Sequence, residues 1–156
     1  MAEVQKKRVV IENKKAYHDY EVLKKYTAGI VLNGPEVKSI RLGQCALKGN
    51  FIHEWHNALW IEGMHVSPYR FATMEKPDPH RKRKLLLQKK EIHTISTALK
   101  EKGVSCVALE VLLDHGLIKI VLGVVRGKKL HDKRAVLKQK DQNREIARTL
   151  KAFSHR

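Results

Sequence analysis

The chain has 156 residues, with 32 Lys and Arg against 16 Asp and Glu, a net charge of +16 and a pI near 10.0. That length bounds it to one ordinary domain plus an extension, and a charge that repels itself in the compact state fits a polyanionic partner, nucleic acid or an anionic membrane. No apolar run approaches the roughly 18 residues that span a bilayer, and the basic start from Met1 to Arg8 leads into no signal-peptide core; a cytoplasmic nucleic-acid binder is the expectation, with no membrane.

From Tyr20 to Leu32 the even positions Tyr20, Val22, Tyr26, Ala28, Ile30 and Leu32 are apolar, with Lys24 the exception. That period of two predicts a long strand bent at Gly29. Asn33-Gly34-Pro35 stops it and opens a short helix with Val37, Ile40 and Leu42 facing inward, ended by Gly43. Cys45 to Met64 predicts two strands turning near His56-Asn57, with Trp55 and Trp60 flanking the turn. Ser67 to Arg83 holds Pro68, Pro77 and Pro79 and predicts a loop with extended pieces.

A helix from about Gln88 to Lys102 follows, with Ile92, Ile95 and Leu99 on one face and Gly103 as its stop. Val104–Leu113 and Leu117–Val125 are strands joined by Asp114-His115-Gly116, a hairpin signal. Cys45 and Cys106 form no CxxC pair and are expected to be buried thiols. The fold class expected is mainly β with flanking helices. Closure removes exposed edges, so an OB-like closed antiparallel barrel is the expected architecture.

After Arg126 the character changes. Residues 127–156 hold ten Lys or Arg and three acidic residues, a charge of +7, and their apolar positions (Leu130, Val136, Leu137, Ile146, Leu150, Phe153) are too few for a core. The division expected is a domain over residues 1–126 and a basic tail over 127–156 that is mobile when free and becomes helical on a polyanion. As a helix, residues 131–153 would reach roughly 35 Å.

The chemistry-bearing residues point the same way. Lys14, Lys15, Lys38, Arg41 and Lys48 fall near strand ends or on the short helix, and Arg81-Lys82-Arg83-Lys84 is a dense run. Such charges neutralise phosphates, while Tyr17, His18, Tyr69 and Phe71 offer rings for unpaired bases. His53 and His56 lack the further ligands of a metal site, so no metal and no cofactor are expected. His18-Asp19 and His131-Asp132 are adjacent pairs whose side chains diverge on regular elements. There is no nucleophile elbow, P-loop or dinucleotide fingerprint, and the chain is expected not to be an enzyme.

Specific strings sharpen this. They are Asn13-Lys14-Lys15-Ala16 with His18-Asp19-Tyr20, Ala28-Gly29-Ile30-Val31-Leu32, and Glu36-Val37-Lys38-Ser39-Ile40-Arg41. Farther on come His65-Val66-Ser67-Pro68-Tyr69, Asp78-Pro79, Arg81, Arg83-Lys84-Leu85-Leu86-Leu87 and Gly127-Lys128-Lys129-Leu130-His131-Asp132-Lys133-Arg134. In order over residues 13 to about 148, they resemble the SsrA-binding protein (SmpB) family.

The resemblance implies an OB-type barrel that holds the tRNA-like domain of transfer-messenger RNA (tmRNA, SsrA RNA), completing a tRNA mimic. It also implies a tail that enters the empty mRNA channel near the decoding region of the 30S subunit, so that stalled ribosomes undergo trans-translation. Alanyl-tRNA synthetase and elongation factor Tu are implied as indirect partners. By position, the resemblance assigns tmRNA binding to Asn13, Lys14, His18, Leu86 and Lys119, with Lys38, Arg41 and Lys84 added on charge. Leu86 stays open between RNA contact and core residue; Lys119 is expected on the surface because Ile118 and Ile120 point the other way.

In the tail, Gly127 and Lys128 resemble a hinge, Lys129 is counted with the ribosome-binding residues, and His131, Asp132, Lys133 and Arg134 would lie near the decoding centre. Thr27 stands where many members carry a glutamate associated with RNA contacts, and Phe71 to Pro77 departs from the family's asparagine-rich pattern. The alternative to this reading is a general OB-type RNA-binding or ribosome-associated protein without tmRNA specificity.

Overall fold

The computed structural model describes residues 7–73 and 76–153. Its elements are β1 (Arg8–Glu12), α1 (Lys14–Asp19), β2 (Tyr20–Ile30), α2 (Gly34–Arg41), β3 (Cys45–Ala46), β4 (Phe51–Trp55), β5 (Ala58–Glu62), β6 (His65–Val66), β7 (Arg83–Leu86), α3 (Lys89–Leu99), β8 (Val104–Asp114), β9 (Leu117–Gly127) and α4 (Leu130–Phe153). Seven strands form one sheet in the order β1-β8-β9-β2-β7-β5-β4, with antiparallel pairing throughout, and β3 pairs with β6 separately. The mainly β expectation with flanking helices therefore holds.

The closed barrel does not. Strand β4 does not ladder with β8: β1 takes only the Glu110–Leu113 part of the outer edge of β8, from Glu12↔Glu110 to Arg8↔Leu113, and the edge at Ala108 is met by side chains instead of a strand. The sheet curls until β4 lies against β8 and stays open there. Two asparagines bridge this seam. Asn50 Oδ1 accepts from the Ala108 N–H at 2.6 Å and Asn50 Nδ2 donates to the Ala108 carbonyl at 3.2 Å, so one side chain replaces a strand partner. Asn13 Nδ2 donates to the same carbonyl at 3.0 Å and to the Leu47 carbonyl at 3.2 Å. Both asparagines are buried, and each pairing removes the cost of an unsatisfied backbone group.

The turns follow their residues. His56 and Asn57 have φ of 50° and 56°, and His115 and Gly116 have 49° and 79°. Positive φ at both central positions is the geometry whose twist matches a two-residue hairpin.

The alternation in β2 conceals a change of face. The ladder to β9 shifts between Val22↔Val125 and Lys24↔Val124, leaving Leu23 as an extra residue. A bulge of one residue exchanges the two faces. Tyr20 and Val22 thus pack with Ala16, Val107, Leu109, Val121 and Val125 on the outer side, whereas Tyr26, Ala28 and Ile30 join Ile40, Leu59, Ile61, Leu85, Ile95 and Leu122 inside the curl. Helix α1 covers the outer cluster. In the same cluster Leu109 lies over Gly123, where an added Cβ would come within 2.7 Å of Leu109 Cδ1. Strands β8 and β9 are buried on both faces, which is why their sequences run nearly continuous in apolar residues.

Helices α2 and α3 pack on the inner cluster through Ile40 and Ile95. In α2 the buried residues are Glu36, Ser39 and Ile40, and Leu42, expected inward, is exposed. The face that carries Glu36 is turned toward Arg81 and Arg83 instead.

Candidate nucleic-acid interface

Charge density along the sequence and charge available at the surface differ in this chain. In the run 81–84, Arg83 is fully buried and Glu36 is 2 % exposed. Arg83 Nη2 and Nε donate to Glu36 Oε1 at 2.8 and 2.9 Å, and Arg83 Nη1 donates to the Met64 carbonyl at 2.8 Å. Arg81 adds Nε to Oε1 at 2.9 Å and Nη2 to Oε2 at 2.5 Å. The Asn33 N–H donates to the same carboxylate at 2.9 Å. Burial would raise the Glu36 carboxyl, but the bonds from Arg81, Asn33 and Arg83 outweigh it and hold it below the usual carboxylate range. Of the two arginines that looked like phosphate ligands, Arg83 is internal and Arg81, with 27 % of its side chain exposed, is engaged by Glu36. Lys82 and Lys84, on the alternate positions, are exposed, and Lys82 Nζ lies 2.5 Å from Glu62.

The outer face of the sheet assembles residues far apart in sequence. Gly29 pairs with Leu86 of β7 on one side and with Lys119 of β9 on the other, so Leu86, Gly29 and Lys119 form one row across three strands. Leu86 is 53 % exposed, which decides its open assignment in favour of the surface. A Cβ on Gly29 would meet Leu86 Cβ at 3.3 Å, so the missing side chain lets Leu86 lie flat over β2. Lys119 is partly exposed and its Nζ lies 2.8 Å from Asp114 Oδ2. The bonds from Lys119 and then His115 hold the Asp114 carboxyl below its ordinary range.

Arg41, at the end of α2, donates from Nη2 to the Gly116 carbonyl at 3.0 Å and so sits at the hairpin leading to Lys119. Thr27 is exposed on β2 two residues before Gly29, with Lys25 two residues before that. Lys25 Nζ donates to the Tyr17 hydroxyl at 2.8 Å, and that hydroxyl donates to Glu110 Oε1 at 2.5 Å. Burial and the bond to Glu110 raise the Tyr17 phenol. Tyr17 is thereby fixed in the fold.

A second group surrounds α1. Asn13 is buried, caps α1 through Oδ1 to the Ala16 N–H at 3.2 Å, and spends its amide on the seam. It positions its neighbours: Lys14, Lys15 and Lys48 line a recess of about 270 Å³. At the other end of α1, His18 Nδ1 lies 3.0 Å from Asp19 Oδ1. These side chains, expected to diverge, meet because α1 gives way to β2 at Tyr20, whose backbone is extended. His115 and Asp114 meet likewise, at 2.7 Å, in the β8–β9 turn.

The tail begins against this end. Gly127 pairs with Tyr20, the Lys128 N–H donates to the Asp19 carbonyl at 3.1 Å, and Lys128 Nζ donates to the Tyr17 carbonyl at 3.1 Å. Lys128 thus fastens the root of the tail to the last turn of α1, next to His18. Lys129 is exposed. Beyond it, α4 is exposed at Arg134 and at every position from Leu137 to Lys151. The side chains of His131, Asp132 and Lys133, and those of Leu130, Val136 and Phe153, lie outside the described residues.

Lys38 Nζ stands 5.3 Å from the Tyr69 ring, Tyr69 and Phe71 meet edge to face at 5.7 Å, and Phe71 is 72 % exposed. The thiols take no part: burial pushes Cys45 up to about 11 and Cys106 up to about 12. Among the described residues no group of His, Cys, Asp and Glu converges as a metal site, and no helix is long and apolar enough to cross a membrane.

The site residues therefore fall into two linked groups, Leu86, Lys119, Arg41 and Lys84 toward one end of the outer face, and Lys14, His18, Gly127 and Lys128 at α1. Sequence reasoning missed the engagement of Arg81 and Arg83. The signal was present in Glu36, the acidic residue of α2 that opens a helix three positions after Asn33.

Comparison with known proteins gives one family. The SmpB protein family model matches residues 10–152. An SsrA-binding protein of Lacticaseibacillus casei is 45 % identical over 144 residues, 92 % of each chain. One from Streptococcus mutans is 43 % identical over 148 residues, covering 95 % of this chain and 96 % of the relative. A solved structure described as "tmRNA-SmpB: a journey to the center of the bacterial ribosome" is 40 % identical, with a TM-score of 0.66, over 77 % of this chain and 85 % of that one.

Proposed function

The chain belongs to the SmpB protein family, and on that premise we propose that it binds the tRNA-like domain of tmRNA and delivers it to stalled ribosomes for trans-translation. The observation that supports the reading is the Leu86–Gly29–Lys119 row, in which two residues that the resemblance assigns to RNA binding stand on either side of Gly29, 33 residues apart in sequence. The body up to Arg126 completes a tRNA mimic, with no catalytic step of its own. Leu86 offers an apolar surface for a base or ribose, Lys119 and Arg41 a positive flank, and Lys84, Lys38 and Lys14 neutralise phosphates. Asn13 acts through the fold by holding α1, and with it Lys14 and His18, against the seam.

Residues 127–156 form the second unit. With a charge of +7, the tail enters the vacant mRNA channel of the 30S subunit near the decoding region, where His131 stacks on a base and Lys133 and Arg134 meet phosphates. An intact messenger would occupy the same channel, which confines the factor to stalled ribosomes. The Lys128 clamp on α1 supports a defined departure direction for the tail. Alanyl-tRNA synthetase and elongation factor Tu meet the protein through the RNA, in the cytoplasm.

Competition between the tRNA-like domain of tmRNA and ordinary tRNA over a salt series tests this. A preference for the tmRNA fragment that persists at physiological salt is expected. Equal affinities that fall together by orders of magnitude as salt rises would leave a general electrostatic RNA binder in its place.

A further inference from the structure

Strand β4 turns Ile52 into the core and sets Phe51, His53 and Trp55 on the opposite face. Phe51 is 49 % exposed and Trp55 is 56 % exposed. Trp60 of β5 pairs with His53, and its ring meets Trp55 diagonally, 5.5 Å between centroids at 70°. Its Nε1 donates to the Trp55 carbonyl at 3.3 Å, and the His56 ring lies 4.0 Å from Trp55. The two-residue turn at His56-Asn57 holds the hairpin, so this array of rings is preorganised while much of its area faces water. Water-facing rings of that size mark a contact surface more often than a structural one.

We propose that this hairpin face is a stacking platform for unpaired bases of single-stranded RNA, a site additional to the Leu86–Lys119 row. It rests on the RNA-binding reading given above. Charge selects the occupant. Trp60 is paired in register with the exposed Lys84, whereas the nearby carboxylate of Glu62 is already engaged by Lys82 at 2.5 Å and His53 at 3.5 Å. The rings therefore sit beside an available cation, with that anion neutralised, on a chain of net charge +16. This suits a polyanion that also carries flat apolar faces. The row His53–Trp60–Lys84 lies next to the Leu86–Gly29–Lys119 row through β7, so a strand leaving one reaches the other. Stacking accepts any base, so the platform binds with little sequence preference.

The chain has two tryptophans, Trp55 and Trp60, both on this hairpin, so intrinsic fluorescence reports on this site alone. Titrating the full chain with a short oligouridine is expected to quench that emission saturably. Trp55→Ala weakens oligouridine binding roughly tenfold, as one lost base–ring stack does. Trp55→Phe, which keeps a ring, stays within about threefold of the parent and serves as the comparison if the alanine variant misfolds by circular dichroism. Oligouridine that binds by fluorescence anisotropy without quenching the parent's emission, or that binds a folded Trp55→Ala as tightly as the parent, or that loses roughly tenfold or more with Trp55→Phe, overturns the platform. Quenching that persists while the tRNA-like domain shows no preference over tRNA defeats the tmRNA reading and leaves the platform standing.

Discussion

The sheet body and α4 use the same basic residues in opposite ways. In the body, Arg81 and Arg83 turn inward onto Glu36, Lys25 is held by Tyr17, and Lys119 shares Asp114. In α4 every described side chain is exposed, so burial withdraws none of the charge described there. In a folded layer, alternation and burial decide which cation reaches solvent. In an unpacked helix nothing intervenes, and recognition there depends on what the helix enters.

The sharpest way to break the body's half of that contrast is to remove its internal anion. Glu36→Gln leaves Arg83 buried without its counter-charge and is expected to cost about 3–5 kcal/mol in denaturant unfolding; an unchanged midpoint would return both arginines to the RNA surface. The pH dependence carries the same information. The Glu36 carboxyl is depressed in the fold, so its stabilisation is complete above the ordinary carboxylate range and is lost as pH falls through the depressed value. The parent should lose stability on acidification in that window, and Glu36→Gln should lose less.

Asn50→Ala tests the seam. It removes two hydrogen bonds from Ala108, leaving the carbonyl with Asn13 and the N–H without Asn50, for an expected loss of roughly 1–3 kcal/mol, with affinity for RNA unchanged in the folded fraction. A loss below about 0.5 kcal/mol, the usual range for surface changes, would mean that packing alone closes the curl. Smallest in stability and clearest in function is Leu86→Ala. At 53 % exposure it should shift stability by less than about 1 kcal/mol, yet weaken tmRNA binding roughly tenfold, about 1.4 kcal/mol by the affinity scale. Parent-like affinity would remove Leu86 from the interface.

Both hairpins were legible from their turn residues, and α3 from its apolar spacing and Gly103, because these signals are local. The long strand β2 was legible too, but its bulge at Leu23 was not, since even-numbered apolar positions on both sides kept an unbroken period in sequence. Strands β1 and β7 and helix α1 escaped notice because each is short and takes its place from non-local partners, which for β1 lie 98–105 positions away and for β7 lie 22–57 positions away. The failure of closure was equally hidden: at Ala108 the outer edge of β8 is met by the side chains of Asn50 and Asn13, contacts across 58 and 95 positions, and not by a strand. Among the site residues, Lys119 is partly exposed as expected and Leu86, left open in the sequence, lies at the surface, while the turn of Arg81 and Arg83 onto Glu36 is a contact across 45 and 47 positions that periodicity does not record.

The central claim is that the body holds the RNA and the tail acts after it. Deleting residues 130–156, which spares the Lys128 clamp, separates the two in one experiment that measures affinity for the tRNA-like domain alongside tagging of stalled peptides. The account predicts affinity within about threefold of the parent, less than one lost hydrogen bond's worth, and no tagging. An affinity that collapses with the deletion, or tagging that survives it, would contradict the division of labour.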